Sequence, residues 1–219
     1  MDYVLNIIPQ MMDGCLVSFQ VFIITIVLSI PLGILLSLGR VSGIKPLQAL
    51  IGGYVWILRG SPLMLQIFFV YFVLPSVGIR LPDFESAIVA FVLNYAAYFC
   101  EIFRAGIQSL DKGQMEAARS LGMSYMQAMR TIILPQAFRR MLPALGNNAI
   151  AILKDSSLIS AIGLAELAYA ARTVAGASAR YWEPYITISC VYWVMTLLLA
   201  WGIRRLEARL GRGDNGIGS

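Results

Sequence analysis

Apolar residues in this chain fall in long runs separated by short polar stretches, the spacing expected of segments that cross a lipid bilayer. Leu16 to Gly39 carries no charged residue over 24 positions, and about 20 apolar residues suffice for a helix to cross a hydrocarbon core. Gly60 to Ile79 gives 20 more, entered through Arg59-Gly60-Ser61-Pro62. Ser86 to Cys100 is free of charge for 15 positions and then meets Glu101 and Arg104. Met141 to Ala165 is apolar apart from Lys154-Asp155, and Pro184 to Ile203 supplies a last clean run. The pattern predicts an all-α membrane protein with about five transmembrane helices, forming one domain over residues 1–219. The first run is too long and too far from Met1 for a cleaved signal peptide, and Asp2 stands where a basic segment would. Residues 211–219 read as a flexible polar tail.

Composition supports this class. Hydrophobic residues make up 58% and charged residues 13%, where a soluble domain carries about a quarter charged. Histidine is absent, which excludes a Ser-His-Asp site and the usual proton shuttle. The three cysteines (Cys15, Cys100, Cys190) are scattered without metal-ligand spacing. No Gly-x-x-x-x-Gly-Lys-Ser/Thr occurs, so the chain is expected to hold no ATP of its own and no other cofactor. The net charge of +5 is explained by topology rather than by nucleic acid. With the N-terminus outside and five crossings, twelve of the 17 Lys and Arg fall in inside segments. The positive-inside rule then puts residues 104–140 and the C-terminus in the cytoplasm.

The polar segment between the third and fourth runs reads as a hairpin of short helices, about residues 111–135. Asp111 with Gln114 predicts a capping box opening a helix through Leu121. Gly122 suits the left-handed position that ends it. Ser124 with Gln127 predicts a second cap, and Pro135 interrupts that helix or starts the next. Met115, Met123, Met126 and Met129 surround the turn with adaptable apolar side chains, suited either to a partner's groove or to a lipid surface.

The full spacing Glu116-Ala117-Ala118, Gly122, Ile132, Leu134-Pro135 resembles the "EAA" loop of bacterial ABC importer permeases. Three further stretches are similar to the polar amino acid uptake permeases (histidine/glutamine/arginine type). They are Arg59-Gly60-Ser61-Pro62-Leu63 with Gln66; Asn94-Tyr95-Ala96-Ala97-Tyr98 with Glu101, Arg104 and Gly106-Ile107; and Leu153-Lys154-Asp155-Ser156-Ser157-Leu158. The likeness runs from about Gly14 to Arg209. Family members often carry Thr at the positions of Ser61 and Ser156, and either residue keeps a hydroxyl. The resemblance implies a type I ABC importer permease domain in the bacterial inner membrane that performs no chemistry itself. Glu116, Ala117, Ala118, Gly122, Leu134 and Pro135 would couple it to two ATPase subunits, which hold the ATP and Mg. It also implies a second permease subunit, identical or related, surrounding lipid, and an extracytoplasmic amino-acid-binding protein docking on about Ser76–Glu85 and Glu166–Glu183.

Polar residues inside apolar runs are costly, so they point to a pathway or a buried pair. Asn94, Tyr98 and Glu101 share a helical face and offer an amide, a hydroxyl and a carboxylate to a zwitterionic amino acid. Arg104 could pair with Glu101 at i,i+3 or reach water at the helix end, leaving Glu101 free to face a cavity. Ser61-Pro62 is a helix-start signature inside the second run, and a helix broken there would present N–H groups to a substrate carboxylate. Gln66 would face the same side. Asp155 and Ser157 interrupt the fourth run, so either the helix breaks or Lys154 and Asp155 find separate partners. Ser61, Gln66, Asn94, Tyr98, Glu101, Asp155 and Ser157 are therefore the candidate substrate contacts. Two carboxylates favour a cationic or neutral polar amino acid (arginine, lysine, histidine or glutamine), unless Arg59, Arg104 or Lys154 also lines the cavity. The competing readings are an intramembrane enzyme using Glu101 and Asp155 as paired acids, and a structural anchor with no substrate path.

Overall fold

The computed structural model describes residues 2–211, so the greater part of the 211–219 tail lies outside the described residues. All regular structure among them is helical: α1 (Asp2–Val41), α2 (Lys45–Gly60), α3 (Leu63–Phe68), α4 (Asp83–Gln108), α5 (Lys112–Ser120), α6 (Tyr125–Ala128), α7 (Leu134–Asp155), α8 (Leu167–Ser178) and α9 (Trp182–Gly211). Three spans are long and apolar enough to cross a membrane, Met11–Val41, Asp83–Gln108 and Trp182–Leu210. They contain the predicted first, third and fifth runs.

The second run differs from its prediction. The charge-free window placed the span from Gly60 onward, but Lys45–Gly60 is itself a helix, bent by 107° against Leu63–Val77. Pro46 starts it in its first turn, and Ile51 and Val55, four apart, pack on Ala97 and Cys100 of α4. Arg59 had hidden this apolar stretch from a search for uncharged windows. Counted as one, the bent pair brings the spans that length and apolar composition identify among the described residues to as many as four; α7, which carries the predicted fourth run, is not among them. The run Met141–Ala165 becomes instead the C-terminal part of α7 and a 3-10 segment, Ser156–Ile162. Arg139, Arg140, Lys154 and Asp155 in α7 lower its hydropathy, and its α-helical hydrogen bonding stops at Asp155.

Helix α4 is the centre of the bundle. Ala87, Ala90, Ala96 and Ala97 are almost completely buried, and such small side chains let neighbouring helices lie close along it. The main core joins Val21 and Phe22 of α1, Ile67 of α3, Phe91, Phe99 and Phe103 of α4, and Ala137, Met141 and Ile152 of α7. A second cluster, with Met11, Leu167, Ala171 and Ile188, binds α1 to α8 and α9. Opposite treatment of α9 follows from its surface: only 6% of its apolar window is buried, against 61% for α4. Its Trp193, Leu198 and Trp201 side chains are exposed, a face suited to lipid or a second subunit.

The hairpin forms as two short helices. Asp111 caps α5 by accepting from Gly113 N at 2.9 Å. The reciprocal half of that capping box is absent, because the Gln114 amide oxygen turns to Gln136 at 3.5 Å. Gly122 has φ +82. Bonds from Gly122 N to Arg119 O and from Met123 N to Ala118 O complete a Schellman end that an L side chain would strain. Ser124 and Gln127 make both bonds of their capping box. A π-helical turn, Met129–Ile133, leads into α7, where Pro135 lies in the first turn. Ala118 and Ala128 pack inward, while Leu121, Tyr125 and Met126 are 83%, 58% and 61% exposed.

Candidate functional site

The break between α2 and α3 is built from side chains that satisfy the last carbonyls of α2. Ser61 Oγ donates to Ile57 O at 2.8 Å. Gln66 Nε2 donates to Leu58 O at 2.8 Å and to Ser61 Oγ at 2.8 Å. Asn94 Nδ2, reaching across from α4, donates to Leu58 O at 3.1 Å and to Gln66 Oε1 at 3.0 Å. These carbonyls have no helical partner at a helix end, and in a dry interior each would cost free energy unpaired. The three polar residues thus hold the bend, and Gln66 and Asn94 spend their amides on that task.

Beside the bend lies a polar cavity of about 520 Å³, lined among others by Arg59, Ser61, Asn94, Tyr98, Asn148 and Asp155. That size is within the range of small-molecule sites, about 300–1,000 Å³. Asp155 sits at the end of α7 and accepts a 2.6 Å hydrogen bond from Tyr95 Oη of α4. The first sequence alternative for Lys154-Asp155 holds, since the α-helix gives way to a 3-10 turn there; of the second, the Asp155 half is seen in its bond from Tyr95. Arg59 carries the other charge on the wall, its guanidinium 5.1 Å from the Tyr98 ring centroid.

Four of the seven candidate contacts, Ser61, Asn94, Tyr98 and Asp155, line this cavity. Gln66 lies behind the wall against an apolar groove. Ser157 is turned back on its own chain, donating to Lys154 O at 2.9 Å. Glu101 borders two neighbouring cavities instead, and of the two readings for it the i,i+3 pair with Arg104 is the one observed. Arg104 does not run to water but forks onto Glu101, with Nη2 to Oε2 at 2.6 Å and Nε to Oε1 at 3.1 Å. Arg40 and Arg59 approach the same carboxylate at 3.6 Å and 3.9 Å. Arg40 reaches it across α2 because Gly52 has no side chain; a Cβ there would lie 2.5 Å from Arg40 Nη1.

Sequence reasoning missed Tyr95, Asn148 and Arg40, and left Arg59 only as a condition on charge. Tyr95 sat inside a quoted motif. The Asn147-Asn148 pair was a polar interruption in an apolar run, a signal of the same kind as Asp155. No local signal marks Arg40, since its reach depends on the crossing of α1 and α2.

Comparison with known proteins agrees along nearly the whole chain. Residues 11–212 match the family model described as binding-protein-dependent transport system inner membrane component. The chain is 37% identical over 208 residues to the arginine transport system permease protein ArtQ of Bacillus subtilis, covering 94% of this chain and 95% of that one. It is 40% identical over 199 residues to the probable glutamine ABC transporter permease protein GlnM of the same organism, covering 91% and 92%. A crystal structure of an amino acid ABC transporter with histidines superposes with a TM-score of 0.87 at 39% identity, covering 92% of this chain and 94% of that one.

Proposed function

The chain belongs to the family of binding-protein-dependent transport system inner membrane components and is a permease subunit of an amino acid ABC importer, and from that premise we propose that the Arg59–Asp155 cavity is where the carried amino acid sits. One observation carries the reading: a single cavity beside a broken helix is lined by a guanidinium and a carboxylate. A zwitterion presents an ammonium and a carboxylate, and a site with one wall of each sign compensates both as water is removed. Asp155 keeps acceptor capacity beyond its single bond from Tyr95, since a carboxylate has about four lone-pair sites. It is the residue for the ammonium or a cationic side chain. With Arg59 on the wall and Glu101 off it, charge alone no longer disfavours an acidic amino acid; the substrate class of arginine, lysine, histidine and glutamine rests instead on the likeness to permeases named for arginine and glutamine.

The drive comes from outside the chain. Exposed Leu121, Tyr125 and Met126, with Glu116 and Ala117 exposed beside them, form an apolar tip on a hairpin held rigid by the Schellman end and the capping box. We take this tip as the coupling element that enters a groove on one of two ATPase subunits, the hairpin of the second permease subunit taking the other; the ATPases hold ATP and Mg, and the permease is read as needing no cofactor of its own. With α7 counted as a fifth crossing beside the four candidate spans, the N-terminus lies outside, the hairpin and C-terminus lie in the cytoplasm of a bacterial inner membrane, and a binding protein delivers substrate to the opposite face. A second permease subunit completes the path. ATP then sets which of two states of the cavity is populated.

The test is uptake of labelled arginine and glutamine by proteoliposomes containing the permease, its ATPase and its binding protein. Asp155→Asn should reduce uptake on the order of 10- to 100-fold, the range for losing a charge-assisted hydrogen bond, while the complex still assembles. Uptake unchanged by Asp155→Asn would remove the cavity from the path.

A further inference from the structure

Arg59 stands at the meeting point of three cavities. It lines the polar cavity, a second of about 590 Å³ that runs toward the hairpin past Ser109 and Arg140, and a third of about 550 Å³ against Trp56 and Arg40. The first two also share Tyr98 and Asn148. A solute passing from the polar cavity toward the hairpin therefore passes the Arg59–Tyr98 stack.

The base of Arg59 is fixed and its head is not. It is the penultimate residue of α2, and the carbonyls of Ile57 and Leu58 just before it are held by Ser61, Gln66 and Asn94. Glu101 commits its oxygens to Arg104 at hydrogen-bond distance, while Arg59 stays at 3.9 Å with its side chain 43% exposed. Among the described residues the Arg59 guanidinium makes no hydrogen bond. Three guanidiniums around one carboxylate leave this cluster at +2, a local field that favours an anion. A guanidinium offers five N–H donors in a planar fork that matches a carboxylate. The counter-charge a zwitterion needs, Asp155, is on the same cavity wall.

Resting on the reading of this cavity as the substrate site, we infer that Arg59 receives the α-carboxylate of the carried amino acid. Glu101 is a positioning residue: it holds Arg59 at the threshold by attraction without consuming its donors, and does not touch substrate. Selectivity for a free α-carboxylate then resides in the membrane subunit itself, independent of any selection made by a binding protein.

The permease–ATPase complex in lipid nanodiscs, without binding protein, allows this to be measured directly. Equilibrium binding of arginine and of glutamine is compared with binding of each α-amide, for wild type and for Arg59→Gln, Arg59→Lys, Glu101→Gln, Glu101→Asp and Asp155→Asn. Co-purification of the ATPase reports that each variant is folded. Wild type should prefer the acid over the amide by roughly 10- to 100-fold, the range of one charge-assisted contact. Arg59→Gln should abolish the preference for the acid, chiefly by weakening binding of the acid, with Arg59→Lys between. Glu101→Gln should narrow the preference and Glu101→Asp restore it. A preference that survives Arg59→Gln, or amide binding that falls as much as acid binding, overturns the inference. If Asp155→Asn weakens both compounds while Arg59→Gln keeps the preference, the cavity stands and the assignment of Arg59 falls. No binding to the wild-type complex, or binding indifferent to Asp155→Asn, overturns the cavity reading and the inference with it.

Discussion

Glu101 and Glu166 each tie three helices together, and they are stabilised by opposite means. Glu101 gathers Arg40 of α1, Arg59 of α2 and Arg104 of its own helix α4, and its side chain keeps 18% of its exposure. Glu166 has none. It caps α8 by accepting from Ala168 N and Tyr169 N, both at 2.8 Å, and takes further bonds from Ser18 Oγ of α1 at 3.3 Å and Tyr192 Oη of α9 at 2.9 Å. All four donors are neutral. Burial pushes the Glu166 carboxyl above its ordinary value, against hydrogen bonds that pull it down. A carboxylate saturated by neutral donors has nothing left to offer a ligand and works as a rivet. One surrounded by surplus guanidiniums leaves positive charge at the edge of a cavity. Under the proposal above, the Glu166 cluster serves structure and the Glu101 cluster serves substrate handling.

That contrast is broken most directly by Glu166→Ala, which leaves two hydroxyls and two backbone N–H groups without an acceptor. The expected cost is on the order of 3 kcal/mol, read as a lower unfolding temperature of the purified complex, with transport per surviving complex unchanged. Loss of transport at an unchanged unfolding temperature would erase the distinction. Glu101→Gln should do the reverse. We expect the half-saturation constant for uptake to rise about tenfold, with stability altered by no more than about 1 kcal/mol for a partly exposed charge cluster; a large stability loss would make Glu101 a second rivet. Gly52→Ala sharpens the same point, because its Cβ displaces Arg40 from Glu101. It should weaken the cluster by about 0.5 kcal/mol, and in a double-mutant cycle that effect should vanish in a Glu101→Gln background.

The smallest effect is the pH response of Glu166. Its folded carboxyl binds a proton more tightly than the unfolded one, so the native state holds the extra proton between the two values. Stability is therefore full below the ordinary carboxylate range and declines as pH rises through the raised value. Thermal unfolding of wild type against Glu166→Gln across that range should show the decline only in wild type; parallel curves would contradict it.

The hairpin was legible because its signals are local. Gly122 and the Ser124–Gln127 box act within a few residues, so their spacing alone specifies the bonds they form. Asp111–Gln114 has the same spacing, yet Gln114 turned to Gln136, 22 residues away, because the hairpin brings the start of α7 alongside α5. The seven candidate contacts show the same division. Polar residues in apolar runs identified the break at Ser61 and the end of α7 at Asp155, but not which of them share a cavity.

What the sequence by itself determined was the membrane class, the long spans α1, α4 and α9, the shape of the hairpin and the family, since hydropathy, caps and turn chemistry depend on neighbours along the chain. What only the tertiary structure decided was the folding of Lys45–Gly60 against α4, the meeting of Tyr95 with Asp155, and the capture of Glu101 by three arginines from three helices. Those outcomes depend on how helices cross, and a side chain's partner across a helix crossing is chosen by distance in space, which no local pattern encodes.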